Sequence, residues 1–140
     1  MEGFFNFAAL ELKTRYTLGK NERLKSRKVI DLLFKEGKSF TVFPFRVLYT
    51  FEEGAPGLKA GFTASSRNFK KAVDRNRIKR LSREAYRLQK NELQHASDDL
   101  NRALAIFVIY IDKELPEYKM VFEKMTLVLK RLIKITGENN

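Results

Sequence analysis

Residues 67–90, RNFKKAVDRNRIKRLSREAYRLQK, carry ten Lys or Arg against only Asp74 and Glu84, which places +8 of the chain's formal +11 in one segment. A polyanion, and first of all a nucleic acid, is the partner implied by such a concentration of charge. At about 100° per residue, Ile78, Leu81, Ala85 and Leu88 fall within one arc, the stripe of a core-facing amphipathic helix. Arg75, Asn76, Lys79, Arg80, Arg83, Arg87 and Lys90 fall on the opposite arc. Like charges at i,i+4, as in Arg75/Lys79, Lys79/Arg83 and Arg83/Arg87, each cost roughly a few tenths of a kcal/mol. A merely solvated face would interleave both signs, whereas only Glu84 interrupts this run. The arrangement reads as a docking surface for a ligand of opposite charge.

Outward from this helix, 140 residues with 44% hydrophobic content suffice for one domain with a proper core and not for two. A sequence pI near 9.9 comes with 12% aromatic residues, twelve of them Phe, unlike disordered basic tails. The lack of Cys excludes a disulfide framework and a thiolate metal site, and fits a reducing cytoplasm. A single His excludes a histidine-rich metal site. The apolar run Gly3 to Leu10 follows Glu2 rather than a basic stretch and precedes no small-residue cleavage site, so it does not read as a signal peptide. The longest apolar run, Ala103 to Ile111, falls well short of the roughly 20 residues of a spanning helix. A soluble, cytoplasmic protein with no membrane partner is expected. Its domain should occupy residues 16–136, with 1–15 a mobile N-terminal extension and 137–140 a C-terminal tail.

The remaining elements follow from periodicity and punctuation. Asn21 to Glu36 pairs Val29/Leu33 and Ile30/Phe34 at i,i+4 and meets Gly37, which predicts a helix and its stop. Phe40 to Phe51 is rich in β-branched and aromatic residues; Phe45, Val47, Tyr49 and Phe51 alternate with Arg46, Leu48 and Thr50, and Pro44 splits the run or marks an edge. Glu52 to Gly57 reads as a turn leading to a strand over Leu58 to Ser65, with a hairpin the simplest connection. The basic helix starts between Asn68 and Val73 and fades over Asn91 to Ser97 as polar residues accumulate. Ala103 to Ile111 reads as a central strand buried on both faces. Pro116 suits a helix first turn, after which Val121, Met125, Val128 and Leu132 keep helical spacing up to Gly137. The predicted order is αβββαβα, an α+β fold with a mixed four-stranded sheet.

The string Arg75-Asn76-Arg77-Ile78-Lys79-Arg80-Leu81, followed by Arg83-Glu84-Ala85-Tyr86-Arg87, closely resembles the signature helix of the bacterial ribonuclease P protein family. Leu24, Phe34-Lys35-Glu36-Gly37, Val47-Leu48-Tyr49, Gly61-Phe62-Thr63 and the apolar strand before the last helix occur in that family's order, so the resemblance spans about Leu18 to Leu132. It implies an α/β sandwich similar to the second domain of ribosomal protein S5, with a left-handed crossover that generic rules would not favour. It also implies a role as the non-catalytic subunit of a ribonucleoprotein endonuclease. There the RNA subunit, with bound Mg²⁺, removes the 5′ leader of precursor tRNA, and one protein serves one RNA.

The residue types suit that division of labour. Guanidinium groups make bidentate contacts to phosphate, and a row of them on a rigid helix matches the charge of a folded RNA backbone. Arg75, Arg77, Lys79, Arg80, Arg83 and Arg87 are candidates for contacting the catalytic RNA, with Arg67, Lys70 and Lys71 in the preceding loop. The Asn76 amide suits a base edge, a 2′-hydroxyl or a structural cap. Arg77 lies nearer the apolar arc, a position that equally suits bracing the helix against the sheet. The resemblance further implies a cleft between the first helix and the sheet that receives the leader, for which Ile30, Phe34, Phe45 and Tyr49 are the candidates; their competing assignment is the core. Ile30 replaces an aromatic found in some members, and Ser66-Arg67 and Lys70-Lys71 replace a common Lys-Lys and Gly-Asn, leaving no confident metal ligand in the protein.

Three rivals remain. A protein nuclease needs converging carboxylates or a base beside a nucleophile, and the acidic pairs Glu52-Glu53 and Asp98-Asp99 stand in turn-like stretches without a His partner. A ribosomal or general structured-RNA-binding protein shares the charge, and only the Arg75 to Arg87 string separates it from the first reading. A membrane-surface helix would want Trp or Phe on a wider apolar stripe.

Overall fold

The computed structural model describes residues 22–52, 57–100 and 102–138. The proposed extension, residues 1–15, lies outside the described residues. Four helices and one four-stranded sheet are found among the described residues: α1 (Arg27–Glu36), β1 (Lys38–Val42), β2 (Phe45–Glu52), β3 (Gly57–Ala64), α2 (Ala72–Gln89), α3 (Asn91–Leu100), β4 (Ala103–Tyr110) and α4 (Tyr118–Glu138). The expected mixed sheet is present in the order β1-β2-β4-β3.

The first helix is shorter than the Asn21 to Glu36 span predicted from sequence. Ser26 caps it, its hydroxyl accepting the Val29 N–H at 3.4 Å. The residues before it are extended, because Leu24 is buried and donates its N–H to the Ala60 carbonyl at 3.0 Å, while Arg23 bridges in parallel to Ala60. Gly37 does stop the helix, donating to the Leu33 carbonyl at 3.0 Å; a Cβ there would stand 2.5 Å from that same oxygen. Only glycine permits so close an approach.

Pro44, after a cis peptide bond, separates β1 from β2, and these two form the antiparallel hairpin with Phe40 opposite Val47. A hairpin between β2 and β3, the connection expected from sequence, does not form. Instead β4 lies between them, antiparallel to β2 with Leu48 opposite Phe107, and parallel to β3 with Gly61 opposite Phe107. The continuous apolar run of β4 explains the choice, since only a central strand buries both of its faces.

One face of the sheet packs Phe45, Val47, Phe62, Leu104, Ile106, Val108 and Tyr110 against Ile78, Ala85 and Tyr86 of α2, Leu93 of α3, and Val121, Met125, Val128 and Leu132 of α4. Among the described residues, the other face carries Leu48 and Ala105, flanked by Phe107 and Ile109, and meets Leu33, Val29 and Ile30 of α1 and Leu24 before it. The polar stretch after the basic helix is thus a separate helix, α3, which buries Leu93 and Ser97; Asp98 and Asp99 lie on its exposed side rather than in a turn. The last helix starts two residues beyond the buried Pro116 and runs through Gly137 to Glu138 instead of ending at the glycine, so a tail beginning at 137 is not observed.

Candidate nucleic-acid interface

The inward stripe of α2 runs through Ile78, Ser82, Ala85 and Tyr86. Leu81 is only half-buried and Leu88 is exposed, so the helix is rotated from the arc expected of Ile78, Leu81, Ala85 and Leu88. The cause is Tyr86, whose fully buried ring meets Phe62 edge-on at 5.3 Å between centroids. This rotation leaves Asn76, Arg77 and Arg80 exposed and moves Lys79 and Arg83 to the half-buried flank. Asn76, Arg77 and Arg80 line an open groove with Val73, a residue that is 76% exposed. Arg77 therefore faces solvent and does not brace the helix against the sheet.

Bracing falls to Arg75. One of its terminal nitrogens donates to the carbonyls of Phe69 and Lys70, each at 2.8 Å, tying the loop to the first turn of α2. The same loop is fixed at two more points. Asn68 donates its amide to the carbonyls of Ile111 (3.2 Å) and Asp112 (3.5 Å), and buried Phe69 packs beside Tyr110. With its backbone held, the loop presents Arg67, Lys70 and Lys71 to solvent. These cations extend the exposed face of α2. Asn68 escaped attention in the sequence because its partners lie 43 and 44 residues away.

Charge fades toward the C-terminal end of the helix. Arg87 clamps Glu84 through two hydrogen bonds, at 3.1 and 2.5 Å. Each partner favours the charged form of the other: the Arg87 guanidinium lowers the Glu84 pKa, and Glu84 raises that of Arg87. Lys90, assigned by the wheel to the outward arc, is instead buried, with its ammonium 2.5 Å from Glu22. A helix break at Lys90 turns its side chain inward. The cationic surface is therefore concentrated between Arg67 and Arg83.

The four candidates for a leader cleft do not share a surface. Phe34, 57% exposed, and half-buried Ile30 belong to α1, and the Phe34 ring meets Phe107 edge-on at 5.9 Å. Phe45 points to the opposite face of the sheet, where it is fully buried against Tyr110, and cannot present itself to a ligand. Tyr49 also lies on that opposite face, half-buried between Phe40 and Phe51. The sequence grouped Phe45 with Tyr49 correctly, but it is Leu48, of the other parity, that faces α1. The aromatic partner that was missed is Phe107. Its ring lies over Gly61, where an added Cβ would come within 2.9 Å of it, so glycine reserves the space.

Among the described residues no group of three or more His, Asp or Glu side chains comes together to hold a cation. Nor, among them, is any helix long and apolar enough to cross a membrane.

Fold and site together define a class: a small α+β sandwich in which one packed helix and a braced loop display cations to solvent. The family model described as Ribonuclease P matches residues 18–134. A ribonuclease P protein component of Porphyromonas gingivalis is 38% identical over 124 residues, covering 87% of this chain and 88% of that protein. That of Chlorobium phaeobacteroides is 29% identical over 128 residues, covering 83% and 88%. The solved RNase P protein from Thermotoga maritima superposes with a TM-score of 0.62 at 32% identity, over 79% of this chain and 96% of that one. The chain belongs to the ribonuclease P protein family.

Proposed function

We propose that this chain is the protein subunit of a ribonuclease P that docks on the catalytic RNA through α2 and its preceding loop. Arg67, Lys70, Lys71, Arg77, Arg80 and Arg83 supply the phosphate contacts, Asn76 a polar contact among them, and Arg75 holds the loop that presents the first three. The braced cationic loop and helix, in a chain of this family, is the observation that carries the reading. A loop whose backbone is already held has less conformational entropy left to lose on binding.

The 5′ leader of precursor tRNA is assigned to the α1 side of the sheet, along Ile30, Phe34 and Phe107. Stacking on such a platform tolerates any base and contributes about 1–3 kcal/mol per base. Ile30 adds apolar contact without a π face. Hydrolysis of the phosphodiester joining leader and tRNA is assigned to the RNA and the Mg²⁺ ions it holds, the division of labour that membership of this family implies. The protein binds and orients, working in the cytoplasm as one copy on one RNA.

Reconstitution tests this reading. Added to a bacterial ribonuclease P RNA, the protein should lower the Mg²⁺ concentration needed to cleave precursor tRNA. No effect at low Mg²⁺, together with tight binding to unrelated structured RNA, would favour a general RNA-binding protein.

A further inference from the structure

Away from α2, the C-terminal half of α4 and the edge strand β1 enclose an open groove of about 610 Å³. Its floor is aromatic: Phe40 is buried, Tyr49 is half-buried, and their rings lie 6.0 Å apart at a tilt of 52°. Its wall carries Lys130, Arg131 and Lys134 of α4, with Ser39 of β1 also lining it. The Arg131 guanidinium sits 4.9 Å above the Phe40 ring, which holds this cation in place rather than leaving it to sweep through solvent. Lys130 and Lys134 are like charges one turn apart, a mildly unfavourable spacing. Among the described residues no ion pair neutralises any of the three, and Glu138 at the groove's end is the single acidic side chain lining it.

We propose that this groove is a second RNA site, holding about two phosphates of a single-stranded segment. Ammonium groups act as point charges on phosphate oxygens, and Arg131, pinned by Phe40, offers its fork to the same backbone. Tyr49 gives a base an aromatic surface that a bare phosphate would not need. A lipid surface would instead require exposed apolar side chains beside the cations, whereas the one aliphatic side chain in the lining, Ile135, is half-buried. The sheet order puts β1 at one edge and β3, the strand beneath α2, at the other, about 14 Å across at ordinary strand spacing. With α4 also standing between them, the two basic surfaces engage different stretches of RNA. This site goes beyond the subunit reading and is testable without the catalytic RNA.

The probe is octauridylate, titrated into the full chain and followed by amide chemical shifts and by binding at several salt concentrations. Shift changes are expected at Ser39, Phe40 and Lys130 to Lys134. Neutralising both lysines, as Lys130→Gln with Lys134→Gln, should flatten the salt slope by about 1.4 and weaken octauridylate binding roughly 20-fold at 0.1 M salt, the release expected for two single-strand phosphates. Binding of the double variant to ribonuclease P RNA should stay within about twofold of the parent, since α2 is untouched, whereas Arg80→Ala should weaken the large RNA and spare octauridylate. An unchanged octauridylate affinity and slope in the double variant, or shifts confined to α1 and α2, overturns the proposal. An equal loss for inorganic tripolyphosphate overturns the nucleotide assignment and leaves a bare anion site.

Discussion

The two faces of the sheet are finished to different degrees. Three helices close one face, and the large side chains there vanish from solvent: Phe45, Tyr86 and Met125 are each at most 1% exposed. Among the described residues a single ten-residue helix, about 15 Å long, sits on the other, where Phe34 is 57% exposed with Phe107 and Ile109 half-buried beside it. Closing one face supplies the cooperative core that a domain of this size needs. With that done, the second face can keep aromatic surface uncovered without risk to the fold. Position in the sheet, rather than residue type, decides whether a phenylalanine is core or available surface.

Phe45→Ala gives this contrast its sharpest test. Removing a fully buried ring from the closed face should cost about 3–5 kcal/mol in denaturant unfolding. Any fraction that still folds should cleave substrates with and without a leader in unchanged proportion. A loss under about 1 kcal/mol would mean that the closed face is not packed as described.

Gly61→Ala moves to the α1 face, where its methyl would point at Phe107 and Leu24. The new methyl would stand 2.9 Å from the Phe107 ring, with Leu24 Cβ at 3.4 Å behind it. Displacing that ring should cost about 1–3 kcal/mol, the usual penalty of overpacking. Phe107→Ala should restore the lost stability in part, because it removes the atom that is struck. Additive losses in a double-mutant cycle would show that the ring does not occupy this space.

How far the sequence could anticipate these faces depends on the range of the interactions involved. Helices α1, α2 and α4, the strands, the central place of β4 and the cationic side of α2 are all local patterns, visible as periods and charge. Alternation along β2 also sorted Phe45, Val47 and Tyr49 from Leu48. It could not say which set meets α1, because both parities carry apolar residues and a period of two names no face. The break between α2 and α3 was equally hidden: Lys90 is a good helix former, and its inward turn depends on Glu22, 68 residues away. Arg75 matched a charge pattern, yet its guanidinium is spent on two backbone carbonyls whose position only the folded loop defines.

Arg75 and Arg80 make the next comparison, between a cation that shapes a surface and one that lies on it. Arg75→Ala leaves the Phe69 and Lys70 carbonyls without their donor and should cost about 1–2 kcal/mol of stability. Arg80→Ala, on the exposed side, should stay within about 0.5 kcal/mol in the same measurement. In binding to ribonuclease P RNA the order changes character. Arg80→Ala should flatten the salt slope by about 0.9 for one phosphate on a helical RNA, treated like duplex DNA. Arg75→Ala should weaken affinity by loosening the loop with a smaller change in slope. Equal slopes and equal stabilities in the two variants would erase the distinction.

Phe34→Ala carries the smallest expected effect on stability and the most selective one on function. With its ring mostly in solvent, the variant loses chiefly the edge-on contact to Phe107 and should unfold within about 1 kcal/mol of the parent. If the α1 side receives the leader, affinity for precursor tRNA with a leader of several nucleotides should fall by about 1–3 kcal/mol, one stacked base, while a substrate with a single leader nucleotide is unaffected. Phe34→Leu should keep the packing and still show most of that loss, since a π face, not volume, is what a base stacks upon. An equal decline for long and short leaders, or full retention in Phe34→Leu, would remove stacking from this face and leave Phe34 as an unfinished edge of the smaller core.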